Sequence, residues 1–152
     1  MTEIERKFLV EEVPPDLPDG RHLDQAYVAV DGPTEVRIRA AGAACTLTVK
    51  GGHGIERAEV ETTIDRDTFD ALWPLAQGRQ LEKVRHEVEL GPQTAEVDVY
   101  AGSLAGLVVV EVEFDSRDDA DGFVPPHWFG RELTGEPGWS NASLAATGRP
   151  DR

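Results

Sequence analysis

The chain has 152 residues, 29% of them charged and 39% hydrophobic, with a formal net charge of -14. That balance describes one folded, rather polar domain over residues 1–152, with enough chain for a core or a small closed barrel. A pI near 4.6 leaves no basic field to capture nucleic acid, and no apolar run reaches transmembrane length, so neither partner is expected.

Residues 2–10 read as a strand. Alternation places Glu3, Glu5 and Lys7 on one face and Ile4 and Phe8 on the other. Close carboxylates repel and raise each other's pKa, and a divalent cation beside an anionic substrate would use all three groups. A connector rich in Pro, Asp and Gly follows over residues 11–24. Residues 25–30 form a second strand, closed by Asp31-Gly32-Pro33, and residues 35–40 set Arg37 and Arg39 against Val36 and Ile38. Cys45, the only cysteine, excludes an intrachain disulfide and a cysteine-based zinc site; with no basic-then-apolar segment at the start, a cytoplasmic protein is expected.

Residues 46–50 set Leu47 and Val49 against Thr46, Thr48 and Lys50. A glycine loop over residues 51–54 leads to a strand at 55–64 with Arg57, Glu59 and Glu61 on one face. Residues 67–77 have amphipathic helical spacing from an aspartate cap, which Pro74 should kink or shorten. Three more strands follow at 81–90, 94–100 and 107–114. Their polar rows hold Lys83, Arg85, Glu87 and Glu89; Glu96 and Asp98; and Glu111 and Glu113. Residues 116–122 read as a short helix from a serine cap. The Gly- and Pro-rich remainder, with Trp128, Phe129 and Trp139, is expected to pack over a barrel end or an apolar outer face.

About eight strands with one or two helices result, and at least six carry charges on one face and aliphatics on the other. An open sheet with one wet face satisfies the pattern strand by strand. The rows, however, hold short alternating Arg and Glu pairs instead of the Thr, Ser, Lys and Gln of a solvated face. Inward-facing charge around a polar tunnel is therefore the preferred reading. The charges are also segregated: residues 35–57 are locally basic and residues 96–121 strongly acidic.

Glu3-x-Glu5-x-Lys7 resembles the N-terminal signature of the CYTH superfamily, the triphosphate tunnel metalloenzymes. Arg37-x-Arg39, Lys50, Arg57-x-Glu59-x-Glu61, Lys83-x-Arg85, Glu96-x-Asp98 and Glu111-x-Glu113 match in order, and Trp139-Ser140-Asn141 resembles the closing segment. The resemblance implies a mainly β fold, a closed eight-stranded antiparallel barrel forming a tunnel with a few helices outside. It implies metal-dependent hydrolysis of a linear triphosphate, here inorganic triphosphate, to orthophosphate and pyrophosphate. Adenylate cyclase of class IV, thiamine triphosphatase and a non-catalytic polyphosphate or nucleotide sensor remain alternatives.

Under this resemblance Arg37, Arg39, Arg57 and Arg85 are phosphate clamps, and Lys7, Lys50 and Lys83 are point charges. Glu3, Glu5, Glu111 and Glu113 are the first-choice ligands for Mg²⁺ or Mn²⁺, followed by Glu61 and Asp98, with Glu3, Glu5 and Lys7 closest to catalysis. Glu59 and Glu96 read as ion-pair partners, and Arg6 as a surface residue outside the tunnel row. His22, His53, His86 and His127 lack metal-ligand spacing with one another. The C-terminal segment lacks a basic residue between Asn141 and Arg149, which argues against a part in the site. The chain is compatible with a homodimer.

Overall fold

The computed structural model describes residues 2–151. Eight strands make up the wall: β1 (Thr2–Leu9), β2 (Arg21–Asp31), β3 (Thr34–Ala41), β4 (Ala44–Gly51), β5 (Glu56–Ile64), β6 (Gln80–Leu90), β7 (Gln93–Tyr100) and β8 (Val108–Phe114). They form a closed barrel in the order β1-β5-β4-β3-β2-β6-β7-β8, every neighbouring pair antiparallel. Closure leaves no sheet edge. The β2–β3 and β6–β7 hairpins both turn on Gly-Pro. Gly32 and Gly91 have φ of 56° and 83°, a region glycine enters without a Cβ clash, and proline follows where no ladder donor is needed.

Three apolar clusters form, two between the outer wall and the elements that cover it and one on the inward faces at one barrel end. Ala26, Ile38 and Cys45 meet Phe69 and Ala76 from α1 (Arg66–Leu72) and the 3-10 turn Trp73–Ala76. Phe8, Val110, Val112 and Phe114 meet Phe129 and Ala120, the latter on α2 (Arg117–Gly122). Leu9, Leu81, Tyr100 and Val109, on the same strand faces as the charged rows, meet Leu133, Trp139 and Leu144, the last on α3 (Asn141–Thr147), and close one end of the barrel. Most aliphatic rows are thus buried outward, and the charged rows face in above the apolar plug at one end.

Several local expectations change. The α1 cap is Asp65, whose side chain accepts from the Thr68 N–H, not Asp67. Pro74 ends the α-helix at Leu72 and a tighter turn continues, as its missing N–H requires. Strand β2 begins at Arg21, four residues before the expected start, because Arg21–Ala26 pair with Gln80–Arg85 of β6. Helix α3 was not expected; Ser140 caps it, accepting from the Ser143 N–H. No helix among the described residues is long and apolar enough to cross a membrane.

Candidate active site

The inward rows enclose a cavity of about 550 Å³. Strand register decides which charges meet. Glu5 lies opposite Glu113 and Lys7 opposite Glu111 across β1–β8; Glu96 lies opposite Glu111 across β7–β8. Glu35 and Glu59 flank Lys50, and Arg85 is opposite Asp98. Like charges placed directly across strands destabilise a sheet, so this register is costly unless cations share the space.

Among the residues anticipated for the site, Glu3, Glu5, Lys7, Arg37, Arg39, Lys50, Arg57, Glu61, Arg85, Glu111 and Glu113 all line the cavity. Lys83 and Asp98 do not; both are 0% exposed in the wall behind it. Asp98 accepts from Arg85 through both oxygens, at 2.8 and 2.9 Å, and Lys83 Nζ stands 2.8 Å from Oδ2. That lysine contact falls outside hydrogen-bonding geometry, leaving Nζ without a directional partner among the described residues. Both Asp98 oxygens are therefore engaged in holding Arg85.

The cations are fixed one by one. Lys50 Nζ is 2.7 Å from Glu3 and 3.5 Å from Glu59. Arg57 lies 3.5 Å from Glu35 and donates to the carbonyls of Gly52 and Pro33. Arg37 donates to Thr48 Oγ1, which donates to Glu61, while the buried Arg37 Nε has no partner among the described residues. Lys7 Nζ donates to the Trp139 carbonyl at 2.6 Å. Arg39 donates through Nε and Nη2 to Gln25 Oε1.

The carboxyl groups meet in pairs. Burial, then Glu111 and Glu3, push Glu5 well above the usual carboxylate range. Burial opposes ionisation of Glu111 too, but Lys7, Arg85 and Lys83, with a hydrogen bond from Glu5, hold it well below that range. The two neighbouring carboxyl groups are thus pushed apart in acidity, Glu111 being the stronger acid. Glu3 and Glu59 form a second pair. Burial raises Glu3, yet Lys50 and its hydrogen bonds outweigh this and lower it, whereas burial and Glu3 raise Glu59. Burial and then Glu3 raise Glu113.

This donor chemistry fits a hard divalent cation. The donors are oxygens, two pairs of carboxyl groups are crowded together, and like charges oppose each other across the register. Mg²⁺ and Mn²⁺ need only one or two carboxylates when waters and substrate oxygens complete the sphere. The one trio of His or acidic side chains within 4.8 Å among the described residues, His22, Asp24 and Glu82, lies on the exposed outer face.

Three features escaped the sequence reading. Gln25 and Tyr27 point inward from β2, a strand whose polar residues showed no charged alternation to mark them. The C-terminal segment does reach the site: Thr134, Trp139, Ser140 and Asn141 line the cavity. It is tied down by the Gly130 N–H to the Leu9 carbonyl, by the Leu133 N–H to the Lys7 carbonyl, and by the Tyr100 hydroxyl to Asn141. The segment thus meets Lys7 through the Trp139 carbonyl, with no basic residue between Asn141 and Arg149. Arg6 is outside the tunnel row as expected, but it is no solvated surface residue. It pairs with Glu132 and donates to the Ala120 and Phe123 carbonyls. Glu96 does pair with Arg85, at 3.1 Å, and Glu87 lines a second, acidic hollow that shares Glu96 and Glu113 with the cavity.

Residues 1–145 match the CYTH domain. An inorganic triphosphatase of Nitrosomonas europaea is 43% identical over 147 residues, covering 95% of this chain and 97% of that protein. An inorganic triphosphatase of Acetivibrio thermocellus is 36% identical over 145 residues, covering 93% and 92%. The crystal structure of an inorganic triphosphatase superposes with a TM-score of 0.72 at 41% identity, covering 97% of this chain and 96% of the other. A barrel turned inside out by charge, matched along nearly its whole length, makes this chain a member of the CYTH domain family.

Proposed function

We propose that this protein, working as one domain, hydrolyses inorganic triphosphate to orthophosphate and pyrophosphate with Mg²⁺ or Mn²⁺. The observation that carries the reading is the charge of the cavity wall: nine glutamates stand against six lysines and arginines. Such a wall repels a bare polyanion, yet it offers guanidinium forks for phosphate oxygens and carboxylates for the accompanying cations. Tyr27 and Trp139 among the lining are 1% and 3% exposed, so neither offers an open face on which a base or a thiamine ring could stack. The names of the relatives favour the same substrate.

Arg37, Arg39 and Arg85 bind the phosphate oxygens, and Lys7 and Lys50 add charge where the chain of phosphates passes. Glu3, Glu5, Glu111 and Glu113 would hold a divalent ion, which would supply positive charge to offset that of the polyanion. A bond from the water oxygen to the terminal phosphorus forms as the bond to the bridging oxygen breaks; pyrophosphate leaves, and the water's protons stay on orthophosphate or pass to solvent. Glu3, ionised beside Lys50, is a weak base. Its part is to orient that water by accepting a hydrogen bond, which suits a loose transition state that needs little proton abstraction.

The test is product formation from inorganic triphosphate, ATP and thiamine triphosphate, each with Mg²⁺, Mn²⁺ or EDTA. Metal-dependent orthophosphate from triphosphate, with little from the other two, is expected. Cyclic AMP and pyrophosphate from ATP would replace this reading with a cyclase. Turnover confined to thiamine triphosphate would place an organic group in the cavity.

A further inference from the structure

The cations of the cavity wall differ in how their charge is compensated. Arg85 faces two carboxylates, Lys50 two, and Arg57 one. Arg37 has Glu61 at 3.7 Å. Arg39 is the one lining guanidinium with no carboxylate within ion-pairing distance among the described residues. What holds it is an amide: Gln25 Oε1 accepts from Nε at 3.0 Å and from Nη2 at 2.9 Å. Gln25 is itself 0% exposed, and its amide group is fully committed on both sides, because Nε2 donates to the Tyr27 hydroxyl at 2.7 Å.

A buried, two-sided amide in this place is a specific choice of chemistry. A carboxylate of the same size would grip the same guanidinium edge more strongly but would cancel its charge. A neutral acceptor fixes the plane and leaves the positive charge available. Arg39 is already crowded: burial first, then Arg37 and Arg85, pull its pKa down to about 10, so it stays cationic but gains from any incoming anion. The bonds to Gln25 occupy one edge of the fork, and the remaining N–H groups are left to the cavity.

We propose that Gln25 is a positioning residue of the phosphate site, orienting the Arg39 guanidinium through its amide while leaving that charge uncompensated for substrate oxygens. This rests on the reading that the cavity takes triphosphate. Gln25 touches no substrate; it acts through Arg39. The isosteric change Gln25→Glu keeps the geometry and removes the free charge, whereas Gln25→Met keeps the charge and removes the hold.

The experiment is steady-state hydrolysis of inorganic triphosphate with Mg²⁺ by wild type, Gln25→Glu, Gln25→Met, Arg39→Met and the double variant Gln25→Met/Arg39→Met, with thermal midpoints for each. Gln25→Glu is expected to raise KM about tenfold or more with a smaller change in kcat, as loss of one charge-assisted contact predicts. Gln25→Met is expected to weaken kcat/KM in the wild-type background and to add less than about twofold in the Arg39→Met background, the mark of acting through that side chain. A Gln25→Glu KM within about twofold of wild type would overturn the proposal, as would full additivity of the two Met changes. A fall in thermal midpoint and in kcat with KM unchanged would assign Gln25 to stability alone. If wild type does not turn over triphosphate, it is the functional reading that fails, and the variants need not be made to learn it.

Discussion

Glu111 is the residue on which most of the cavity's charge relations converge. It takes a hydrogen bond from Glu5, lies opposite both Lys7 and Glu96, and is held ionised against burial by Lys7, Arg85 and Lys83. Glu111→Ala is expected to lower metal-dependent kcat by about a hundredfold or more while the circular dichroism spectrum stays that of the folded barrel. Near-wild-type turnover would remove Glu111 from the metal set. Lys83 gives a second test at this scale. Burial, against the pull of Asp98, lowers its pKa from 10.5 to about 7. Between those values the unfolded chain binds more protons than the folded one, so stability rises with pH across the window. Lys83→Met lacks the titrating group and is expected to flatten that rise in thermal midpoints measured from pH 7 to 10.5 in EDTA. An unchanged slope would mean that the ammonium stays charged inside the wall.

At the scale of elements, the C-terminal segment is what turns a barrel into a site. It crosses from Leu9 to the cavity rim, and Gly130 is required where it first docks, since a Cβ there would stand 2.7 Å from the Leu9 carbonyl oxygen. Arg6 clasps it with two hydrogen bonds to Glu132, which in turn accepts from Thr134 at the cavity wall, and joins it to the end of α2 with two more to the Ala120 and Phe123 carbonyls. Arg6→Met keeps the packing stem and removes those bonds. It is expected to destabilise by about 1–3 kcal/mol and to open residues 130–140 to limited proteolysis before the strands are cut. Cleavage that begins elsewhere would show that the clasp is not what holds the segment. Strand periodicity made seven strands legible through a two-residue alternation of polar or charged with aliphatic residues, while β2 was read only from residue 25, four residues after its start. The segment after Pro125 has no such period, and the bonds that tie it to β1 bridge more than a hundred residues.

For the whole molecule, burying aliphatics on the outside of a closed sheet lets an acidic chain keep a charged interior without an aqueous core open on all sides. The glutamate excess of that interior predicts linkage to metal. Mg²⁺ or Mn²⁺ at a hundred times its dissociation constant is expected to stabilise the fold by about 2.7 kcal/mol, seen as a higher thermal midpoint than in EDTA. An EDTA-treated protein that melts at the same temperature with and without either ion would argue that the carboxyl pairs have another purpose.

The alternation of charge and aliphatic residues by itself determined the strands, the inward row on each, and most of the residues that line the cavity. A period of two leaves no other way to bury Val110 and Val112 while keeping Glu111 and Glu113 together. Sequence could not decide how the rows register against one another. Asp98 carries the same chemical signal as Glu111, yet pairing of β6 with β7 sets it behind Arg85, while pairing of β1 with β8 sets Glu111 beside Lys7. Nor could it decide that neutral Gln25 would face in, or that a carbonyl at Trp139 would meet Lys7. Those outcomes depend on barrel closure and on the path of the chain across its rim, contacts between residues far apart in sequence that no local pattern encodes.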